Sequence, residues 1–277
     1  MTSNQIVSNQ QWLTARVALL EKEKQLTRQL DEMARQRRQL PWTKIEKNYT
    51  FESPCGTVAL ADLFGNHAQL FIYHFMFGPN WKEGCPSCSM MADSIGGTLP
   101  HLAARDVSLV FVSRAPVEKI QAFKQRMGWT FPWVSSLASD FNFDFHVSFK
   151  PEQQKTGKVD YNFTLQKFPS EEAPGASFFF KEPGTADIFH TYSTYGRGLD
   201  ALIFPYTILD MAPKGRDEDQ FAFPMQWVRH HDRYATNDFI DAEKPYWPKI
   251  APATSSTAVS AGQGSTSSCS CAAGEKP

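Results

Sequence analysis

Between Asn9 and Leu40 apolar side chains return every seven residues, at Trp12, Leu19, Leu26, Met33 and Leu40, in a background of Ala, Glu, Lys, Gln and Arg without internal Gly or Pro. The pattern predicts one long helix stopped by Pro41. So narrow a seam, with Leu30 beside its second half, either lies on the domain surface or pairs with a second copy of the chain as a homodimer. Strand patterns follow. Tyr49 to Glu52 and Thr57 to Leu60 flank Ser53-Pro54-Cys55-Gly56, which reads as a hairpin with Cys55 in its turn. Leu70 to Phe77 is an apolar run of the kind a buried strand needs, and Gly78-Pro79-Asn80 is a turn.

A polar, helix-compatible stretch then opens at Cys85 and is interrupted by Gly96, Gly97 and Pro100, and His101 to Arg105 adds a further helical turn or two. Val107 to Val112 is nearly continuous in apolar residues, as in a parallel strand covered on both faces. In Pro116 to Met127, Val117, Ile120, Phe123 and Met127 define one helical face that Gly128 ends. Ala176 to Phe180 and Asp187 to Tyr192 enclose Glu182-Pro183-Gly184 and read as an antiparallel pair; Leu199 to Leu209 supplies a closing helix. The total is an α/β sandwich with a parallel half and a hairpin half. Between the halves, the aromatic, loop-rich stretch from Asp140 to Phe168 is an insertion that either walls a substrate cleft or, the preferred reading, covers an exposed sheet edge.

These patterns divide the 277 residues into a helical arm (1–40), one domain carrying the insertion near 140–168 (41–247) and a tail (248–277). The tail is rich in Ala, Ser, Thr and Gly and is expected to be disordered, because it cannot bury enough apolar area to offset chain entropy. Twenty-eight basic against 29 acidic residues provide no bulk attraction to nucleic acid or to an anionic membrane. No run approaches the ~18 apolar residues of a membrane span, and no signal-like segment opens the chain, so a cytoplasmic protein is expected.

The candidate chemistry is a dithiol. Cys85-Pro86-Ser87-Cys88 falls where the strand and turn give way to the helix. Pro86 at the first helical position loses no hydrogen bond and brings its φ preset. That places Cys85 at the cap, where unpaired N–H groups and the positive end of the helix dipole lower a thiol from about 8.5 toward roughly 3.5–7.5. Cys88, one turn on, shares that side of the helix and is the more covered of the two. Cys85 is therefore expected to attack and Cys88 to resolve. Another reading stands beside this one. A soft-metal (copper or zinc) binding or delivery module would use Cys85 and Cys88, with Met90, Met91 and the tail pair Cys269 and Cys271 as further ligands. The tail pair would otherwise relay electrons to Cys85 or be inert.

The order of elements, with CxxC opening the first helix after the first central strand, resembles the thioredoxin fold. The likeness implies a three-layer sandwich with a mixed sheet, and the proline after the first cysteine is similar to that of glutaredoxins. Members of that fold carry a cis-proline before the antiparallel half, and Pro174, in Glu171-Glu172-Ala173-Pro174-Gly175, matches the position. More closely, roughly residues 10 to 220 are similar to the bacterial family known as domain of unknown function 899, described as predicted dithiol-disulfide oxidoreductases. Tyr73 to Pro79, Gly84 to Cys88, Leu99 to Asp106, Met127 to Trp129 and Phe131 to Trp133 carry the resemblance, and Phe189 to Tyr195, Arg197 to Asp200 and Pro213 to Arg216 continue it. It implies disulfide exchange with a protein or small thiol, with no cofactor and no bound metal. A peroxiredoxin-like peroxidase is the nearest enzymatic rival. Peroxiredoxins resemble one another in a proline and a hydroxyl residue at set distances before their cysteine, and here those positions hold Gly78 and Lys82.

Three further side chains are candidates for supporting roles. His74 interrupts the apolar strand close to the dithiol, either as a core imidazole or as a proton carrier. Trp81 is placed to shield the thiols and offer a surface to a substrate. Arg114 follows the second central strand at its C-terminal end, where it would favour a thiolate, bind an anion or stand solvated.

Overall fold

The computed structural model describes residues 4–234. The predicted tail, with Cys269 and Cys271, and the domain boundary at 247 lie outside them. In chain order the elements are α1 (Asn9–Arg38), β1 (Thr43–Lys44), β2 (Thr50–Ser53), β3 (Gly56–Ala59), β4 (Gln69–His74), α2 (Pro86–Ile95), α3 (Leu99–Ala103), β5 (Val107–Ser113), α4 (Val117–Arg126) and β6 (Trp133–Ser135). Then come α5 (Phe141–Asp144), α6 (Pro151–Lys155), β7 (Val159–Tyr161), β8 (Thr164–Gln166), β9 (Gly175–Lys181), β10 (Ile188–Tyr195) and α7 (Phe204–Met211).

The main sheet runs β1-β10-β9-β4-β5-β6-β2-β3. At its centre β4 pairs parallel with β5, Phe71 opposite Leu109 and Tyr73 opposite Phe111, and antiparallel with β9, Leu70 opposite Phe179 and His74 opposite Gly175. β5 continues parallel to β6. With β9 and β10 as the antiparallel half, this is a thioredoxin-like sheet extended at both edges.

Alternation along the strands sends side chains to opposite faces. Phe71, Tyr73, Leu109, Phe111 and Trp133 pack under α2, α4 and α7, while Leu70, Ile72, Val110, Val112 and Phe179 face the other way. Those second-face residues meet Phe141, Phe145, Val147, Phe149 and Tyr161, so the aromatic insertion covers a sheet face and not an edge. The reason is apolar area. Two crossovers running in the same direction along the sheet put α2 and α4 on one face, leaving the other to be closed by whatever else the chain offers. Each fully buried side chain there contributes roughly 1.5–3 kcal/mol.

Two other expectations change in detail. β4 stops at His74, and Phe75 to Phe77 runs on as non-ladder chain with both phenylalanines buried, held by the Phe75 N–H on the Val112 carbonyl, 2.9 Å. The closing helix is two pieces, a 3₁₀ segment over Gly196–Leu202 and then α7, which Pro205 restarts in its first turn.

The arm forms as predicted. Ser8 and Gln11 make a reciprocal capping box at its start, and Arg35, Arg37 and Arg38 complement the dipole in its last turn. Among the described residues no side chain of α1 is buried, so its seam is not covered by the described part of its own domain. Among the described residues no helix is long and apolar enough to cross a membrane.

Candidate functional site

The C-terminal ends of β4 and β5 and the start of β9 meet at one end of the sheet, and α2 begins there. Pro86 stands in its first turn and Cys85 at its cap, with extended backbone at φ −60° and ψ 129°. The Cys85 N–H donates to the Met76 carbonyl, 3.0 Å, tying the helix start to the chain leaving β4. The Cys85 carbonyl in turn accepts from the Ser89 N–H and hydroxyl, each at 2.9 Å.

Cys85 is half-buried and Cys88 is 1% exposed. Their thiols are in hydrogen-bonding contact, and they are driven apart in acidity. Cys85 is lowered to about 7, chiefly by the Cys88 thiol and against the cost of its own burial, with help from the N–H groups of Cys88 and Ser87 and the Ser87 hydroxyl. Cys88 is pushed well above the usual thiol range, first by burial and then by Cys85. The helix start acts on Cys85 as the sequence implies, yet the neighbouring thiol acts more strongly.

A side chain that sequence reasoning passed over is Tyr73. Tyr73 is 2% exposed, its hydroxyl interacts with the Cys88 thiol and draws that thiol downward, and burial drives the phenol far up, so it serves as a donor and not as a base. Beside it, the Tyr161 hydroxyl donates to the Pro174 carbonyl, 2.7 Å, and accepts from the Gly196 N–H, 2.9 Å. The Ala173–Pro174 peptide is trans, since no cis bond occurs among the described residues, so the cis-proline implied by the fold resemblance is not met. Pro174 instead contributes the carbonyl that anchors Tyr161.

His74 is not brought to the thiols. It projects from the opposite face of the sheet, 1% exposed, stacked near Phe141 and Phe145, with Nε2 2.9 Å from the Ser177 hydroxyl. Burial lowers it to about 3, so the imidazole is neutral. Strand parity contains the signal: Tyr73 and His74 must point to opposite faces, and α2 covers the face of Tyr73.

Arg114 is turned toward the insertion. Its guanidinium lies 4.3 Å from the Phe143 ring centroid and Nη1 is 3.2 Å from Glu172 Oε1. The Ser148 hydroxyl donates to the other Glu172 oxygen at 2.6 Å. Burial nevertheless raises the Glu172 carboxyl to about 7, against the opposing pull of Ser148 and Arg114. Trp81, half-buried against the apolar cluster that includes Cys85, donates its indole N–H to Glu171 Oε1, 2.7 Å.

The loop before Cys85 is fastened from the far end of the described chain. Gly84 leaves no room for a side chain, for a Cβ there would stand 2.6 Å from Phe75 and 2.8 Å from Phe123. Its carbonyl accepts from Nε2 of His230, 2.8 Å, which leaves Nδ1 of this buried imidazole to accept from Arg126 Nη2, 2.9 Å. Arg126 also binds Asp232 (2.8 Å) and, with Arg233, Glu83, whose carboxyl Arg233 above all holds below its usual range. Nothing local in the sequence marks His230 for this role, 146 residues from its partner. Cys55 is elsewhere, exposed in the β2–β3 turn, and Met90 and Met91 are packed into the core. Among the described residues no three or more His, Cys, Asp or Glu side chains gather as a metal-holding group.

Several solved structures are similar to part of the chain. Peroxiredoxin Q of Xanthomonas campestris, as a cysteine-to-serine mutant, is 16% identical with a TM-score of 0.37, covering 57% of this chain and 90% of that one. For the peroxidoxin BcpB of Mycobacterium tuberculosis the values are 13%, 0.39, 60% and 94%. For a hypothetical protein of Sinorhizobium meliloti they are 11%, 0.32, 54% and 71%. No curated protein matches the chain. The family described as bacterial protein of unknown function (DUF899) matches residues 1–234, and the chain belongs to it.

Proposed function

We propose that this protein is a thiol–disulfide oxidoreductase in which Cys85 is the nucleophile and Cys88 the resolving cysteine, acting on a disulfide of a protein or small thiol. The observation that carries the reading is the split of the two thiols: one half-buried at a helix start and lowered to about 7, the other in contact with it, buried and pushed up. Near neutral pH about half of Cys85 is thiolate, while Cys88 keeps its proton until it is needed.

In the first step the Cys85 thiolate attacks one sulfur of a client disulfide; the mixed disulfide forms, and the other client sulfur leaves as a thiolate and takes a proton from water. In the second, Cys88 passes its proton to water and attacks Cys85 Sγ; the Cys85–client S–S bond breaks, and the remaining client thiolate leaves and takes up a proton from water. The client gains two electrons, and the Cys85–Cys88 pair loses two on becoming a disulfide. Run backward, the same steps oxidise a client. Tyr73 supports the second step, since its O–H stabilises negative charge on Cys88 as that charge develops.

A peroxidase would use the same thiolate but would have Gly78 and Lys82 in place of the proline and hydroxyl of peroxiredoxins. In a disulfide-reduction assay Cys85→Ser is expected to abolish turnover and Cys88→Ser to accumulate a client adduct on Cys85 visible by mass spectrometry. Wild-type activity in both variants would dismiss the assignment. Peroxide consumption by the Cys88→Ser protein without any client adduct would move it to the peroxidase class.

A further inference from the structure

We infer that α1 is a dimerisation arm that packs antiparallel against α1 of a second copy. The helix is 30 residues long, about 45 Å at 1.5 Å per residue, and it buries none of them. Trp12, Leu19, Leu26 and Leu30 are each more than half exposed and Met33 is 46% exposed. Contiguous apolar surface on this scale marks a partner site. Covering it would remove several hundred Å² of accessible surface from each chain, approaching the ~800 Å² per partner of a standard interface.

The identity and direction of the partner follow from the charges in the seam. Trp12, Leu19, Leu26 and Met33 form one heptad column, and Arg16, Glu23, Leu30 and Arg37 form the column one turn away. A parallel, in-register pair would set Arg16 on Arg16, Glu23 on Glu23 and Arg37 on Arg37, three layers of like charge. Reversing one helix pairs each column with the other. Leu19 then faces Leu30, Glu23 faces Leu26, Arg16 faces Met33 and Trp12 faces Arg37. No like charges meet. Arg16 and Glu23 remain bonded to each other along their own helix, 2.9 Å apart, so neither enters the seam uncompensated. Arg37 stands 5.5 Å from the Tyr192 ring centroid of its own chain, so the outermost layer brings the second copy's indole to a cation already held over an aromatic face.

The flanks agree with this direction. On one side Leu13 and Leu20 would lie against Ala34 and Thr27 of the partner, whereas on the other Lys22 would lie against Gln29. A self-complementary apolar flank beside a polar one is what a two-fold pair of identical helices requires.

Light scattering on the full chain under reducing conditions, across a concentration series, tests the inference. Twice the chain mass is expected at micromolar concentration. The double variant Leu19→Glu with Leu30→Glu is expected to run at the single-chain mass while keeping the thermal unfolding of its body, because neither side chain is buried. Direction is read from cross-links mapped by mass spectrometry: Leu19→Cys combined with Leu30→Cys should join two chains through residues 19 and 30, and Leu19→Cys alone should not link to itself. A single-chain mass at every concentration, a dimer unaffected by the charged variants, or self-linking through position 19 would overturn it.

Discussion

Replacing Cys88 by alanine isolates the strongest influence on the nucleophile. The Cys88 thiol is the first cause of the raised acidity of Cys85, ahead of the helix N–H groups, and burial works against both. Without that donor the Cys85 thiol returns from about 7 toward the ordinary value of about 8.5. At pH 7 the thiolate fraction then drops from about one half to about 3%, roughly fifteenfold, for a shift of ~1.5 units. The thiolate that remains is a better nucleophile. With a Brønsted slope of about 0.4–0.5 over ~1.5 units it recovers about fivefold. The net result is an attack about threefold slower at pH 7 and about fivefold faster above pH 9, so the two pH profiles cross. The assay is the initial rate of modification of the Cys85 peptide by a small disulfide reagent between pH 5 and 10, resolved by mass spectrometry to separate Cys85 from the other cysteines. Cys88→Ser, which retains a hydroxyl donor, is expected to keep a midpoint closer to that of the wild type. A midpoint still near 7 in Cys88→Ala would refute the reasoning and assign the raised acidity to the helix start alone.

Two further outcomes follow from the surroundings of the pair. Tyr73→Phe removes the donor to Cys88 without emptying the core, and a hydrogen bond of about 0.5–1.5 kcal/mol corresponds to a resolution step slowed roughly two- to tenfold; stopped-flow decay of the mixed disulfide should show it, with the initial attack by Cys85 far less affected. Glu172, raised to about 7 by burial, holds a proton in the native state that the unfolded chain has already released, so stability should fall as pH rises from about 4.5 to 7 and level off above. At ~1.4 kcal/mol per unit the loss is at most about 3.5 kcal/mol, and in urea titrations it should disappear in Glu172→Gln.

The sequence by itself determined the elements whose cause is local. A seven-residue apolar repeat without Gly or Pro makes α1, nearly continuous apolar runs make β4 and β5, and Pro86 after Cys85 sets the helix start that receives the nucleophile. Strand parity even separates Tyr73 from His74. The handedness of the β4–α2–β5 crossover then decides which of the two shares a face with the dithiol, and the folded chain selects Tyr73. Short β6 and the β7–β8 pair lay below detection, because three residues carry too little pattern and are held by their partners.

Tertiary structure alone decided the rest of the site. His230 reaches the Gly84 carbonyl, Arg114 is occupied by Glu172, Tyr161 is fastened by Pro174, and the insertion closes a sheet face. Each of these joins side chains far apart along the chain or depends on how deeply a group is buried. Periodicity records which residues prefer to leave water. What they meet there, and hence how strongly a thiol or carboxyl holds its proton, is settled when the separate segments pack together.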